Sequence, residues 1–140
     1  MIVIGKGEKK NALNRFIFQH NLEKNIKLIG YKSNPFKYIK YCDLFILSSK
    51  YEGSPNVLVE AIYLKKPIIS SNCSTGPSEI LKNGKLGSLF KVGDFKQLAR
   101  LIINFKKNNK IIEKAFLSCK RYNYINNCEE YFRSIKSYLQ

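Results

Sequence analysis

Residues 44–70 read Leu44-Phe45-Ile46-Leu47, then Ser48-Ser49-Lys50-Tyr51-Glu52-Gly53, then Ser54-Pro55-Asn56-Val57-Leu58-Val59-Glu60-Ala61-Ile62-Tyr63-Leu64, then Lys65-Lys66-Pro67-Ile68-Ile69-Ser70. The first four residues are apolar without alternation, as in a strand of a parallel sheet covered on both faces. Ser48 to Gly53 is polar and reads as a loop. Ser54-Pro55 predicts a helix start, with Ser as the cap and Pro in the first turn. Val57, Leu58, Ala61 and Ile62 supply that helix with an apolar face. Pro67-Ile68-Ile69 predicts the next strand, since Pro is tolerated at a strand's first position. A strand, a helix and a strand in so short a span make a βαβ unit.

The same alternation continues in both directions. Ile2-Val3-Ile4 predicts a buried strand that ends in the turn Gly5-Lys6-Gly7, and Leu13, Phe16, Ile17 and His20 come next at helical spacing. Ile26 to Ile29 is a further strand, closed by Gly30, and Pro35 opens a short helix with Phe36, Ile39 and Lys40. Beyond residue 70, Gly76-Pro77 predicts a helix with Glu79 reaching back to its cap. Asn83-Gly84 is a turn and Leu86 to Phe90 a strand. Asp94 caps a helix that carries Leu98, Leu101, Ile102 and Phe105. A polar break, Lys106-Lys107-Asn108-Asn109-Lys110, separates this pattern from one or two amphipathic helices over residues 111–139. The fold class is therefore α/β, a Rossmann-like parallel sheet with flanking helices. Residues 1–107 are expected to form the domain, and residues 108–140 a helical tail whose aromatic stretch, Tyr122 to Tyr138, packs on it. Such sheets bind ligands at the carboxyl ends of their strands.

Composition bounds the function. The chain has 140 residues, 44% of them hydrophobic, which is enough for a packed core and excludes wholesale disorder. No apolar run approaches the ~18 residues of a membrane span. The apolar stretch at the N-terminus is too short for a signal peptide, so a cytoplasmic protein is expected, peripheral at most to the inner face of the membrane. Cys42, Cys73, Cys119 and Cys128 form no CxxC, and one histidine, His20, completes neither a zinc site nor a catalytic triad. The net charge of +15 admits an anionic partner. Lys, Asn and Ile share A/T-rich codons, however, and the charges are scattered, so base composition also accounts for it.

Glu52 and Glu60 are separated by seven residues. Eight Glu in the chain give roughly 0.4 such pairs by chance, so the spacing alone decides nothing. The context does. Glu52 lies at the carboxyl end of a strand, and Gly53 lets a ligand approach the backbone. The helix start offers free N–H groups to an anion. Glu60 lies on the same helix face as Asn56, about 6 Å further along. A carboxylate there can accept two hydrogen bonds from a vicinal diol.

These residues resemble the donor-binding, C-terminal domain of the family-four retaining nucleotide-sugar glycosyltransferases, of the GT-B group. The Glu-x7-Glu element is Glu52 to Glu60. Asp43 to Ser49 resembles the strand before it, with Ser48 where the family often has Pro. Lys66 to Ser70 with Gly76-Pro77-Ser78-Glu79-Ile80 resembles the family's next strand and helix. Gly84 to Phe90 with Val92-Gly93-Asp94 resembles its closing segment. Ile4 to Glu8 and Leu28 to Tyr31 resemble the earlier strands. The likeness covers residues 1 to about 105, in order.

The resemblance implies a role for each position. Glu52, taken as the catalytic residue, would contact the donor sugar hydroxyls. Gly53, Ser54, Pro55 and Asn56 would line the sugar and phosphate pocket, with Gly7 and Ser49 also on the donor side. The backbone N–H groups of Val57 and Leu58 would hold the diphosphate, Glu60 the ribose, and Tyr31 and Lys32 would sit by the base. The substrate is a nucleoside-diphosphate sugar; no cofactor and no metal are expected, and no DxD-like pair is present. The family's opening strand and helix, with an Arg and a Lys that grip the diphosphate, have no counterpart here, nor has its acceptor-binding domain. The chain is thus expected to be inactive alone and to need a separate acceptor-binding part. Two other readings stand beside this one. The first is a non-catalytic basic module, or degenerate fragment, that holds nucleotide or an anionic membrane surface. The second is a relative of the nucleotide-sugar epimerases. Nucleic acid is not an expected partner.

Overall fold

In a computed structural model, which describes residues 1–138, the chain forms two compact units, Met1–Tyr38 and a second from Ile39 onward. Each is described by itself.

In the first unit, β1 (Ile2–Ile4) and β2 (Lys27–Gly30) pair in parallel, joined through α1 (Lys10–Gln19). Ile2 faces Lys27 and Val3 faces Leu28; the register then slips, so that Ile4 faces Gly30. The Gly5 N–H donates to the Gly30 carbonyl at 3.0 Å, which ties the two turns together at the carboxyl ends of the strands. Of the apolar face expected on α1, Ile17 is buried, whereas Leu13 and Phe16 are exposed. Phe16 stacks on His20, with ring centroids 4.3 Å apart, and His20 closes the helix.

The boundary falls within α2 (Phe36–Tyr41). In the second unit, β3 (Phe45–Leu47), β4 (Ile68–Ser71) and β5 (Ser88–Phe90) form a parallel sheet in the order β3-β4-β5. Only the central strand is covered as a continuous apolar run predicts: Ile68, Ile69, Ser70 and Ser71 are all buried, whereas the edge strand β3 is half-buried throughout. Helix α3 (Asn56–Tyr63) buries Leu58, Ala61 and Ile62, and these pack with Ile68, Ile80, Leu81, Leu86 and Ala115 in one core. It stops where Lys65 turns left-handed, at φ 54°, just before Pro67.

The expected caps fare differently. The cap position of α3 is Pro55 and not Ser54, and no side chain caps it. Proline has no side-chain acceptor to offer, and Ser54 lies one residue too early. Helix α4 (Pro77–Ile80) is a single turn that starts from Gly76; Glu79 makes no bond to that cap. Asp94 does cap α5 (Phe95–Ile103): its Oδ1 accepts the Gln97 N–H at 2.8 Å, and Gln97 Oε1 accepts the Lys91 N–H at 2.8 Å. Phe105 lies past the end of α5, and none of the helix's residues is fully buried.

Helix α6 (Asn109–Ser118) is capped by Asn108 and buries Ile112 and Ala115, the latter within the core. A 3-10 turn, Cys119–Tyr122, leads to α7 (Tyr124–Tyr138). Of the aromatic stretch, Tyr122 lies against the core, Tyr124, Tyr131 and Phe132 are exposed, and the side chain of Tyr138 lies outside those described. Ile125, Cys128, Phe132 and Ile135 recur at helical spacing along α7, and all four are exposed. No helix among the described residues is long and apolar enough to cross a membrane.

Candidate functional site

The loop from β3 to α3 gathers nine of the expected site residues in the second unit. Ser49 and Glu52 are half-buried, Gly53, Ser54 and Asn56 are exposed, and Pro55 is buried. Gly53 has open space where a side chain would stand, so its backbone is accessible. At the start of α3 the Leu58 N–H donates to the Pro55 carbonyl at 2.9 Å, and the Leu58 side chain lies wholly in the core. Of the two backbone donors expected to face an anion, the Leu58 N–H is therefore engaged. The N–H groups of Asn56 and Val57 have no protein partner among the described residues. Glu60 is half-buried, one turn beyond Asn56. Neither Glu52 nor Glu60 is in an ion pair among the described residues.

The segment after β4 backs this loop. Ser71 Oγ donates to the Ser49 carbonyl at 2.6 Å, and Cys73 Sγ donates to the same oxygen at 3.2 Å. Thr75 Oγ1 donates to the Glu52 carbonyl at 2.8 Å. Gly76, at φ 85°, lies so close that a Cβ there would stand 2.3 Å from the Gly53 carbonyl oxygen and 2.6 Å from Pro55 Cδ. Sequence reasoning missed these backing residues. The available signal was the polar alternation Ser71, Cys73, Thr75 straight after a buried strand, a period that turns three side chains to one side.

Gly7, Tyr31 and Lys32 belong to the first unit, at the ends of β1 and β2. A cleft there is lined by Gly5, Lys6, Gly7, Lys9, Lys10 and Gly30, among others. Lys6 Nζ sits 4.8 Å from the centre of the exposed Tyr31 ring, a cation–π contact that holds positive charge beside an aromatic face. The three lysines make this rim suited to an anion. Among the described residues no three His, Cys, Asp or Glu side chains cluster as metal ligands would.

Parallel strands, flanking helices and a loop-to-helix element with two glutamates describe the C-terminal, Rossmann-like domain of GT-B glycosyltransferases. The chain belongs to the family of glycosyl transferases group 1, whose model matches residues 1–124. It is similar to the poly(ribitol-phosphate) alpha-N-acetylglucosaminyltransferase of Staphylococcus aureus, with 30% identity over 123 residues, 88% of this chain and 25% of that protein. A glycosyltransferase of Methanocaldococcus jannaschii is 47% identical over 81 residues, 58% of this chain and 20% of that one. Among solved structures, TarM superposes with a TM-score of 0.81 at 26% identity, over 94% of this chain and 28% of TarM. HepE of Anabaena, solved with UDP-glucose, shares the fold at a TM-score of 0.81 and 24% identity, over 97% of this chain and 40% of HepE. The chain thus spans 20–25% of the length of these curated relatives.

Proposed function

We propose that this chain is the donor-binding part of a retaining glycosyltransferase that takes a nucleoside-diphosphate sugar. The observation that carries the reading is the start of α3. There Asn56 and Val57 present unpartnered N–H groups, beside the accessible backbone of Gly53 and one turn from Glu60. A helix N-terminus with free donors suits a diphosphate, and it needs no metal to do so. Glu60 would accept from the ribose hydroxyls and Glu52 from those of the sugar. Two relatives are named for adding N-acetylglucosamine to poly(ribitol-phosphate) and N-acetylgalactosamine to a diphospho-undecaprenol acceptor. By that analogy the sugar here is a hexose or N-acetylhexosamine, and the acceptor a surface glycan or a lipid-linked one.

The chemistry asked of these residues is orientation and charge stabilisation. Retention, as in the family resembled, needs no side-chain base if the departing phosphate oxygen takes the acceptor proton. Stabilising that oxygen is a large catalytic contribution, and the Arg and Lys that supply it in the family have no counterpart in these 140 residues. Donor binding is the activity proposed for these 140 residues. Calorimetric titration with a panel of nucleoside-diphosphate sugars tests it. Saturable binding is expected, weakened by roughly 10- to 100-fold in Glu60→Ala, the range for hydrogen bonds to a charged group. A folded chain that binds none of the panel would sink the reading.

A further inference from the structure

The three side chains Ser71, Cys73 and Thr75 do not serve the sheet; they serve the loop. Ser71 and Cys73, both buried, hold the Ser49 carbonyl at the root of the loop, where a missing partner would leave a polar group stranded. Thr75 differs. It is exposed, and it donates to the carbonyl of Glu52 near the tip of the loop. Water could satisfy an exposed carbonyl, so burial does not demand this bond. Its effect is to remove a freedom: with the Glu52 carbonyl tied down and Gly53 close against Gly76, the backbone from which the Glu52 side chain leaves is held. No ion-pair partner among the described residues orients that carboxylate.

We infer that Thr75 is a positioning residue for Glu52, holding through its hydroxyl the loop that presents the Glu52 carboxylate to the donor's sugar. The inference rests on the donor-binding reading, and its test separates the two. Lys50 is exposed in the same loop and is a trypsin site; Lys106 and Lys107, exposed in the polar break, are internal references. Cleavage of a transiently opened segment tracks the population of the open form. Thr75→Val is expected to speed cleavage after Lys50 by on the order of fivefold, the worth of one hydrogen bond, with cleavage at Lys106 and Lys107 unchanged. Thr75→Ser, which keeps the hydroxyl, should restore the original rate. On the binding side the probes are UDP and UDP-glucose. Thr75→Val should weaken UDP-glucose by a similar factor and leave UDP unchanged, as should Glu52→Gln, with no further loss in the double variant.

Unchanged cleavage at Lys50 in Thr75→Val would overturn the inference, as would equal weakening of both probes. Faster cleavage at all three lysines would mean that the hydroxyl supports the fold at large, which also overturns it. A wild-type chain that binds neither probe would remove the donor reading for uridine donors, and the positioning role with it. The Lys50 rate would then still report whether the tie holds the loop.

Discussion

Gly76 is the most constrained position around the loop. Its φ of 85° already disfavours a side chain, and a Cβ would meet the Gly53 carbonyl and the Pro55 ring at impossible distances. Gly84 has a similar φ, 87°, but its imagined Cβ meets only the Gly87 carbonyl oxygen, at an ordinary 3.7 Å. The pair separates backbone strain from close approach. Gly84→Ala should cost about 1 kcal/mol and Gly76→Ala more than about 3 kcal/mol, read from urea midpoints. Three other residues make stability depend on pH. Burial pushes the thiols of Cys42 and Cys119 and the phenol of Tyr122 above their ordinary values. A raised value means that the unfolded chain loses these protons first. Their contribution is complete at neutral pH and is lost as pH rises past the ordinary thiol and phenol range. Melting temperatures should therefore fall from about pH 9 upward, and Tyr122→Phe should flatten the part of the fall nearest pH 10.

At the scale of elements, caps decide where helices begin. Asp94 is the one acidic cap among the described residues, accepting the Gln97 N–H. Asp94→Ala should cost roughly 1 kcal/mol by thermal unfolding, and Asp94→Asn less, because Asn also accepts at that position. Asp94 was legible because its side chain and the periodic residues behind it belong to one local segment. The strand and helix over residues 44–64 were legible for the same reason. What was not legible lies across the chain. Nothing in the run Leu44 to Leu47 says that it stands at an edge, because the edge is defined by which strand pairs with it. Ser54 looks like a cap until Pro55, pressed against Gly76, takes that position. The Leu58 N–H looks free until the Pro55 carbonyl takes it. Glu52 and Glu60 could be picked out from one local stretch, whereas the partners of Ser71, Cys73 and Thr75 lie more than twenty residues away, so their alternation alone did not say what they hold.

At the scale of the molecule, the two units are unequal. The first has a two-stranded sheet, and Ile17 is its only fully buried apolar side chain among the described residues; the second holds the whole shared core. A two-stranded sheet with so little cover is marginal by itself. Hydrogen exchange should resolve this: β1 and β2 amides should exchange faster than those of β4 by orders of magnitude, and the β4 amides should report global unfolding. Equal protection in the two units would show that they open as one. No compositional shift marks the division after Tyr38. It falls inside a short helix, where sequence texture is continuous.

The order β3-β4-β5 carries one more consequence, for the birth of the chain. Each strand pairs with the next one made, so the sheet closes through the crossovers over residues 48–67 and 72–87 and needs no strand beyond the next before it can begin. During synthesis, however, the loop that bears Glu52 leaves the ribosome before the side chains that tie it. Until residues 71–76 emerge, the carbonyls of Ser49 and Glu52 have only water. The loop is thus completed by β4 and the segment after it, and a chain halted short of Thr75 would display both glutamates without the ties that fix their loop.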